Sequence, residues 1–403
     1  MLDTALRLPN GTLLRHRIAK AAMEEALADP KQDPTPELAR LYRRWAEGGA
    51  SLLITGHVLV DRTARARPRD VVVEDERALE RLTAWATAAR SSGAEVWMQL
   101  NHAGRQTPRH VAPVPVAPSA VPAVKMLASF GRPRALREEE IHDIVARFAR
   151  AATIAERAGF TGVQVHAAHG YLISQFLSPL TNRREDTWGG PIENRARFLL
   201  EVVRAVRAAV RPTTAVAVKL NSADFQRGGF DEHDFREVVR LLDAEGIDLL
   251  EISGGNYESP ALFKGTSTSA REAYFLEFAR AVRALTKVPI MVTGGFRSRA
   301  AMEQALVEGA VDVIGLARPL ALEPDLPRRL LDGTADKSSV TAKNVFVKSL
   351  SVVADGAWSW MQIRRMAHGE APDPGLSTWT SLLYYLFFDL FLSKTSIMRM
   401  GAA

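Results

Sequence analysis

Short apolar segments alternate with longer amphipathic segments along most of this chain. The apolar segments have the length and composition of buried β-strands, and there are eight of them, at 17–21, 51–55, 96–101, 162–166, 215–220, 249–253, 289–293 and 311–316. Between them, apolar residues recur at helical spacing in segments at 36–47, 75–92, 138–158, 193–210, 231–245, 274–286 and 299–308. Strands that alternate with helices form a parallel sheet. Eight such units predict an α/β fold, a (β/α)8 TIM barrel, over residues 1–332.

Two segments depart from this alternation. Residues 103–137 form a long connection rich in proline, which follows the third strand and should lie over the catalytic face as a lid or rim, unless it is an inert excursion. Residues 333–403 follow the last barrel unit and are predicted to form a C-terminal helical extension. The extension contains a helical pattern at 346–369, a break at 373–375 and an aromatic run at 382–392.

The aromatic run at 382–392 is too short to span a bilayer, which takes ~20 apolar residues. It also lacks the basic face of a helix that binds a membrane surface. We therefore expect no membrane association. We expect the run to dock on the barrel or on a neighbouring subunit of a homo-oligomer.

The composition narrows the classes of function. The 403 residues include no cysteine, which excludes disulfides, iron–sulfur clusters and thiolate zinc sites. The net charge of +6 is spread among acidic residues without a basic stripe, so we expect no nucleic acid partner. No segment of signal-peptide character begins the chain, and a cytoplasmic enzyme is expected. No G-x-G-x-x-G motif follows a strand, so a Rossmann domain is not supported.

The fourth predicted strand ends in an unusual group of polar residues, His166, His169 and Tyr171. A buried parallel strand that ends in this way delivers polar groups to a site at its carboxyl end. Two imidazoles and a phenol can hydrogen-bond a carbonyl oxygen and deliver a proton. The alternative is that the histidines are packing residues and that Tyr171 anchors a loop.

The segment 163–200 resembles the Old Yellow Enzyme family of FMN-dependent NADH:flavin oxidoreductases. The matching residues are the triplet of His166, His169 and Tyr171, followed by Trp188-Gly-Gly-Pro and Glu193-Asn-Arg. The resemblance extends over roughly residues 6–330. It implies an ene-reductase that binds FMN non-covalently and uses NADH or NADPH. In the family, the residues matching His166 and His169 hold the oxygen of a small-molecule substrate. The residue matching Tyr171 donates the proton.

The same resemblance assigns flavin contacts to the ends of the first three strands. Ala22, Met23 and Glu24 would lie beside the flavin ring, Gly56 would let the backbone approach it, and Gln99 would bond its amide-like edge. Glu24 departs from the Thr or Cys that is common there. A carboxylate beside the ring would disfavour the reduced, anionic flavin, so we expect Glu24 to point away or to pair with a cation.

Lys219 is the single cation within the fifth strand. The resemblance places it against the N1 and O2 region of the flavin, where it would stabilise the negative charge of the reduced ring. A buried cation needs a partner. The alternative is that Lys219 pairs with a core acid such as Glu251.

The ends of the seventh and eighth strands carry a predicted phosphate site. Gly294 and Gly295 follow the seventh strand, and Ala317 and Arg318 follow the eighth. Phosphate sites of TIM barrels typically lie in these two loops, and the Arg318 guanidinium could add a bidentate contact. Ala317 replaces the glycine that is usual in the family.

The resemblance thus implies an FMN-dependent oxidoreductase that uses NAD(P)H to reduce the activated C=C bond of α,β-unsaturated carbonyl or nitro compounds. Hydride would come from flavin N5 and a proton from Tyr171. The alternatives on the same barrel are an NADH oxidase, a quinone reductase or a flavin-dependent dehydrogenase. A hypothesis of another class is a weakly catalytic barrel whose tail, with the run at 382–392, mediates assembly or membrane association.

Overall fold

Eight parallel strands close into a barrel, in which each strand is hydrogen-bonded to the next one along the chain. The computed structural model describes residues 1–123, 129–255, 275–343, 345–346 and 350–388. The barrel strands are β1 (Ile18–Lys20), β2 (Leu52–Leu59), β3 (Glu95–Asn101), β4 (Gly162–Ala167), β5 (Ala215–Asn221), β6 (Leu249–Ser253), β7 (Ile290–Thr293) and β8 (Val313–Leu316). The pairing of β8 with β1 closes the ring. This confirms the predicted (β/α)8 barrel.

Helices surround the barrel and cover the outward faces of its strands. They are α1 (Pro36–Glu47), α2 (Leu79–Ala89), α3 (Glu138–Arg157), α4 (Leu172–Leu177), α5 (Ile192–Ala209), α6 (Glu232–Asp243), α7 (Leu276–Arg283), α8 (Arg299–Val307), α9 (Pro319–Leu322), α10 (Leu326–Leu331) and α11 (Ser351–Ala367). Helix α2 begins four residues later than the pattern at 75–92 predicts. The Asp75 carboxylate accepts from the Arg77 N–H and so closes a local turn there, which competes with the helix.

The second strand is longer than its sequence pattern predicts. The predicted strand ends at residue 55, whereas β2 continues to Leu59. Its register against β3 shifts between Ile54 and His57, which is the mark of a bulge. A bulge bends the strand and re-aims the side chains beyond it. In β2 it places His57 at the catalytic end of the barrel.

Period-two alternation sends alternate residues of every strand into the barrel. The lower part of the interior is apolar and includes Trp97, Leu249 and Met291. A two-strand hairpin, Leu6–Arg7 with Leu13–Leu14, contributes Leu14 to the same cluster. The interior becomes polar toward the carboxyl ends of the strands, where Gln99, Gln164, Lys219 and Glu251 are all buried. The apolar half therefore fills the barrel, and the polar half forms the floor of the site.

The C-terminal segment lies against the barrel. Helix α11 packs on α1 and α9, and the Arg40 guanidinium donates to the Ala367 carbonyl oxygen at 2.7 Å. The Trp360 indole N–H donates to the Glu25 carbonyl oxygen at 2.9 Å, which joins α11 to the loop after β1. Residues 378–388 are also helical. Among the residues that the structure describes, no helix combines the length and the apolar character needed to cross a membrane.

Candidate active site

His166 is the last inward-facing residue of β4, and its hydrogen bonds fix its tautomer. Its Nδ1 atom accepts from the Ala168 backbone N–H at 3.2 Å. A neutral imidazole that accepts at Nδ1 carries its proton at Nε2. Burial, and then the positive field of neighbours that include Lys219, hold the pKa of His166 well below its usual range. His166 is therefore a neutral hydrogen-bond donor aimed at the end of the barrel.

His169 lies beside His166 in an uncommon backbone conformation. Its φ of +60° is left-handed, and its backbone N–H donates to the Asn221 side-chain oxygen at 3.1 Å. The Nε2 atom lies 2.8 Å from the Ser253 hydroxyl oxygen, and the two imidazole ring centroids are 5.1 Å apart. Burial lowers the pKa of His169 well below its usual range. Strain of this kind persists where surrounding contacts determine the backbone, as they do at functional sites.

Tyr171 stands directly before α4, with only 3% of its surface exposed. Its ring meets the His166 ring edge-on, with the centroids 5.1 Å apart. On its other side, its ring centroid is 5.4 Å from that of His57, at an interplanar angle of 84°. The structure thus brings together the three residues of the predicted triplet. It adds His57, which follows the second predicted strand in the sequence and is expected from it to be structural.

A chain of side-chain hydrogen bonds crosses the polar floor of the barrel. The Gln99 amide donates to the Gln164 side-chain oxygen at 2.8 Å, and the Gln164 amide donates to the Glu251 carboxylate at 2.8 Å. The other carboxylate oxygen accepts from the Lys219 ammonium group, also at 2.8 Å. The alternative interpretation of Lys219, a pair with Glu251, is therefore what the structure shows. Lys219 has three N–H bonds and Glu251 accepts one, so the pairing leaves donors for an anionic group.

Glu24 pairs with a cation, as expected from its position. Its carboxylate lies 2.7 Å from the Arg67 Nε atom and 4.0 Å from the His57 Nε2 atom. The Arg67 guanidinium stacks over the Tyr385 ring at 4.7 Å from the centroid. The C-terminal segment therefore supports the cation that neutralises Glu24.

Gly56 packs tightly against the loop after β1. A Cβ atom at this position would overlap the Glu25 carboxylate and the Met23 carbonyl oxygen. The Gly56 N–H donates to the Glu25 carboxylate at 2.9 Å. Ala22 and Met23 are half-buried, Ala22 against the barrel interior and Met23 against the outer core. Gly56 is thus needed so that the loop after β1 can lie against β2.

The buried carboxylate of Glu25 was not identified from the sequence. It accepts a short hydrogen bond from the Tyr42 hydroxyl group and lies 4.0 Å from the Lys20 ammonium nitrogen. Burial lowers the pKa of Lys20 to about 8, although Glu25 acts against this shift. Burial also raises the pKa of Tyr42 well above its usual range. No local sequence pattern distinguishes Glu25, because the residues that contact its carboxylate, such as Tyr42 and Gly56, lie on other elements of the fold.

The loop after β7 has the form expected of an anion site. Gly294 and Gly295 both have positive φ, +133° and +88°. The preceding Thr293 is buried, and its hydroxyl oxygen has no hydrogen-bond partner within the described part of the chain. A side chain at Gly315, on β8, would overlap that hydroxyl group. The Thr293 hydroxyl therefore fills the space left by the missing side chain of Gly315, next to the two glycines where the sequence predicts phosphate.

Arg318 follows β8 and is paired with the C-terminal extension. One guanidinium nitrogen is 2.5 Å from an Asp355 carboxylate oxygen, on α11. The Arg318 side chain is 40% exposed, so its remaining N–H groups can reach an anion. Ala317 is half-buried against the barrel interior. Asp355 was missed because it lies in the tail, outside the barrel pattern.

These side chains fit FMN. The backbone of Gly294 and Gly295, the exposed Arg318, and the Thr293 hydroxyl, which has no partner among the described residues, suit the phosphate group. The Gln99 amide on β3 and the Lys219 cation on β5 lie on either side of β4 and suit the carbonyl and amide edge of the flavin ring.

The loop predicted as a lid touches the site. The Gln106 amide donates to the His169 carbonyl oxygen at 3.2 Å, and the Arg105 guanidinium donates to the carbonyl oxygens of Val121 and Pro122. Phe225, which follows β5, has a φ of +53°.

A family model described as the NADH:flavin oxidoreductase / NADH oxidase family matches residues 5–337. The NADH-dependent flavin oxidoreductase iliE of Hypocrea jecorina (strain QM6a) is 39% identical over 353 residues, which are 80% of this chain and 86% of that protein. A 2-naphthoyl-CoA reductase bound to 2-naphthoyl-CoA matches with a TM-score of 0.80 and 27% identity, over 87% of this chain and 55% of that one. The Old Yellow Enzyme homologue from Zymomonas mobilis matches with a TM-score of 0.72 and 28% identity, over 84% and 94%.

Proposed function

Since the chain belongs to the NADH:flavin oxidoreductase / NADH oxidase family, that of the Old Yellow Enzymes, and is an oxidoreductase that uses FMN and NAD(P)H, we propose that it reduces activated C=C bonds. The substrates would be alkenes conjugated to a carbonyl or nitro group. The observation that supports this most directly is the neutral His166 beside His169 and Tyr171. These three side chains offer donors for one oxygen and a proton for a nearby carbon.

His166 and His169 would bind the substrate oxygen. The proton of His166 is on Nε2, because Nδ1 is occupied by the Ala168 N–H. A neutral donor polarises a carbonyl group without first giving up its own proton. The Ser253 hydroxyl holds the His169 ring at Nε2, and Asn221 holds the His169 backbone N–H, so the ring has little freedom to turn.

Tyr171 would supply the proton that completes reduction at the α-carbon. An ordinary phenol has a pKa of ~10 and is protonated at neutral pH. The contacts with His57 and His166 hold the ring in one orientation, which is what proton delivery to a defined atom needs. FMN, when bound, supplies the hydride for the β-carbon and is reduced again by NADH or NADPH.

Gln99, Lys219 and Arg318 would hold the cofactor. Gln99 and Lys219 belong to one hydrogen-bonded chain through Gln164 and Glu251, so the flavin edge would meet groups that are already fixed. The Lys219 charge would favour the reduced, anionic ring. Arg318 would bind the phosphate together with the backbone of Gly294 and Gly295.

The test is anaerobic. The purified protein with FMN is reduced by NADH or NADPH while its flavin absorption is followed, and cyclohexenone is then added. Return of the oxidised spectrum together with formation of cyclohexanone supports the proposal. Return of the spectrum only with a quinone or with oxygen would favour the oxidase or quinone reductase alternative instead.

A further inference from the structure

The environment of Tyr171 includes a group that the proposed function does not use, the buried imidazole of His57. The bulge in β2 turns this side chain toward the site. Its ring meets the Tyr171 ring edge-on, with centroids 5.4 Å apart. The Asn101 amide nitrogen lies 3.4 Å from its Nδ1 atom. His57 is therefore in ring contact with Tyr171, the residue expected to give up a proton.

Two carboxylates face the other nitrogen of His57. Asp70 approaches Nε2 to 3.4 Å and Glu24 approaches it to 4.0 Å. Asp70 is buried and is held in place by the backbone N–H groups of Ala66 and Arg67, at 3.0 and 2.7 Å. A carboxylate fixed by two N–H donors stays ionised and favours a positive charge on its neighbour.

The other charged groups around His57 do not cancel this effect. Arg67 pairs with Glu24, whereas the Asp70 and Glu25 carboxylates both favour a positive charge on His57. Burial lowers the pKa of the other two imidazoles of the site, His166 and His169, so both stay neutral. Burial alone would lower the pKa of His57, but Asp70 first, and then Glu24 and Glu25, raise it above its usual value.

We propose that His57 is a positioning residue that holds a positive charge beside the Tyr171 phenol, with Asp70 as its fixed counter-ion. The inference rests on the proposed function, in which Tyr171 is the proton donor. When the Tyr171 O–H proton moves to the α-carbon, a C–H bond forms and the O–H bonding pair stays on the tyrosine oxygen. The imidazolium stabilises that phenolate until a proton from solvent restores the phenol.

The proposal predicts a pH dependence with a definite sign. His57 is charged below its raised pKa and loses its charge as the pH rises through that value. Alkene reduction should therefore slow as the pH rises through the raised pKa of His57, whereas reduction of the flavin by NADH should not follow the same curve. The His57 and Tyr171 ring centroids are 5.4 Å apart, and loss of a charge at such a distance corresponds to a roughly tenfold to hundredfold slower step.

The experiment follows the two half-reactions of the holoenzyme separately by rapid mixing, between pH 6 and 9, with NADH and then cyclohexenone. The variants are His57→Gln and Asp70→Asn. The asparagine keeps an acceptor for the N–H groups of Ala66 and Arg67 but removes the charge. His16→Gln is the matched control, because His16 is also a buried histidine but is bonded to Gly49 at the opposite, amino end of the strands.

We expect His57→Gln to slow alkene reduction roughly tenfold to hundredfold and to abolish the pH dependence of that step, with flavin reduction little changed. Asp70→Asn should move the fall in rate to lower pH, and His16→Gln should behave as the unchanged enzyme. An NMR titration of the histidine-labelled holoenzyme gives a readout independent of turnover. The His57 signal, identified by its loss in His57→Gln, should titrate above ~6.5, and Asp70→Asn should lower that value.

Two outcomes overturn the inference in distinguishable ways. The role of His57 fails, and the proposed function stands, if the His57 imidazole titrates below the ordinary pKa of histidine. The same conclusion follows if His57→Gln reduces the alkene with the original rate and pH profile while Tyr171→Phe is impaired. If Tyr171→Phe reduces the alkene normally, the proposed function fails, and the inference fails with it.

Discussion

The Lys219 ammonium nitrogen lies 2.8 Å from a Glu251 carboxylate oxygen, and both side chains are buried inside the barrel. The two residues are directly paired across β5 and β6. Glu251 also accepts from Gln164, which links the pair to Gln99. The cation expected to favour reduced flavin is therefore positioned by a carboxylate on the neighbouring strand.

Glu251→Gln should destabilise the protein, because it leaves the Lys219 cation buried without its counter-ion. Breaking a buried pair on one side typically costs about 3–5 kcal/mol. Denaturant unfolding followed by circular dichroism measures the change. Glu232→Gln is the control, since Glu232 forms an exposed pair with Arg236 at 3.3 Å and such pairs contribute little. Equal stability of the two variants would contradict a tightly coupled Lys219–Glu251 pair.

His166→Ala should weaken substrate binding, because it removes the fixed Nε2–H donor for the substrate oxygen. Loss of one such hydrogen bond corresponds to a roughly tenfold higher dissociation constant for an enone. The constant, measured from the change in flavin absorption on adding enone to the oxidised holoenzyme, should vary little between pH 6 and 8 in the unchanged protein. The reason is that the pKa of His166 lies well below its usual range. Binding that strengthens steeply toward pH 6 would show instead that a charged imidazole holds the oxygen.

Arg318→Ala should weaken FMN binding by about tenfold or more, because a charged contact to phosphate is lost. Riboflavin has the same ring but no phosphate, so its affinity should be the same in both proteins. Fluorescence titration of the apoprotein with the two flavins makes the comparison. A parallel loss of riboflavin binding would assign Arg318 to packing of the loop and not to phosphate.

The buried histidines predict a loss of stability in mild acid. His16 accepts from the Ile18 N–H at Nδ1 and contacts the Gly49 carbonyl oxygen through Nε2, so both nitrogens are committed in the neutral form. Burial lowers the pKa of His16 to about 4, and that of His102 likewise to about 4. Between pH ~6.5 and these values only the unfolded chain binds the proton, so stability falls as the pH falls.

Each such histidine contributes up to about 1.4 kcal/mol per pH unit inside this window. His16→Gln should make the decrease between pH 6.5 and 5 shallower by about that amount. His142→Gln should leave the slope as it is, since His142 is an exposed side chain on α3. Midpoints of denaturant unfolding at several pH values give the slopes. An unchanged slope in His16→Gln would mean that this imidazole titrates normally in the folded protein.

The sequence predicted the barrel because each βα unit carries its own local pattern, which eight units repeat. It also predicted a cluster of His166, His169 and Tyr171, because these residues follow one strand end within six positions. The contacts of Glu25 and the bulge in β2 could not be predicted in the same way. They depend on how the loop after β1 packs on a strand some thirty residues later.

The pairing of Arg318 with Asp355 was missed for a related reason. Asp355 lies on α11, whose helical pattern could be read, but amphipathicity does not say which loop the polar face of a helix will meet. The contact between the His57 and Tyr171 rings likewise could not be predicted without knowing the bulge in β2. Local patterns thus indicate which elements form, whereas the charges that adjust the site come from contacts between distant segments.

The most direct test of the proposed function is a single-turnover comparison of the unchanged holoenzyme with Tyr171→Phe. The flavin is first reduced with NADH, and the reduced enzyme is then mixed anaerobically with cyclohexenone while flavin absorption and product are followed. We predict nearly unchanged flavin reduction and cyclohexanone formation slowed by roughly a hundredfold or more, because only the proton donor is lost. Equal loss of both half-reactions, or full alkene reduction without the Tyr171 hydroxyl, would contradict the assignment.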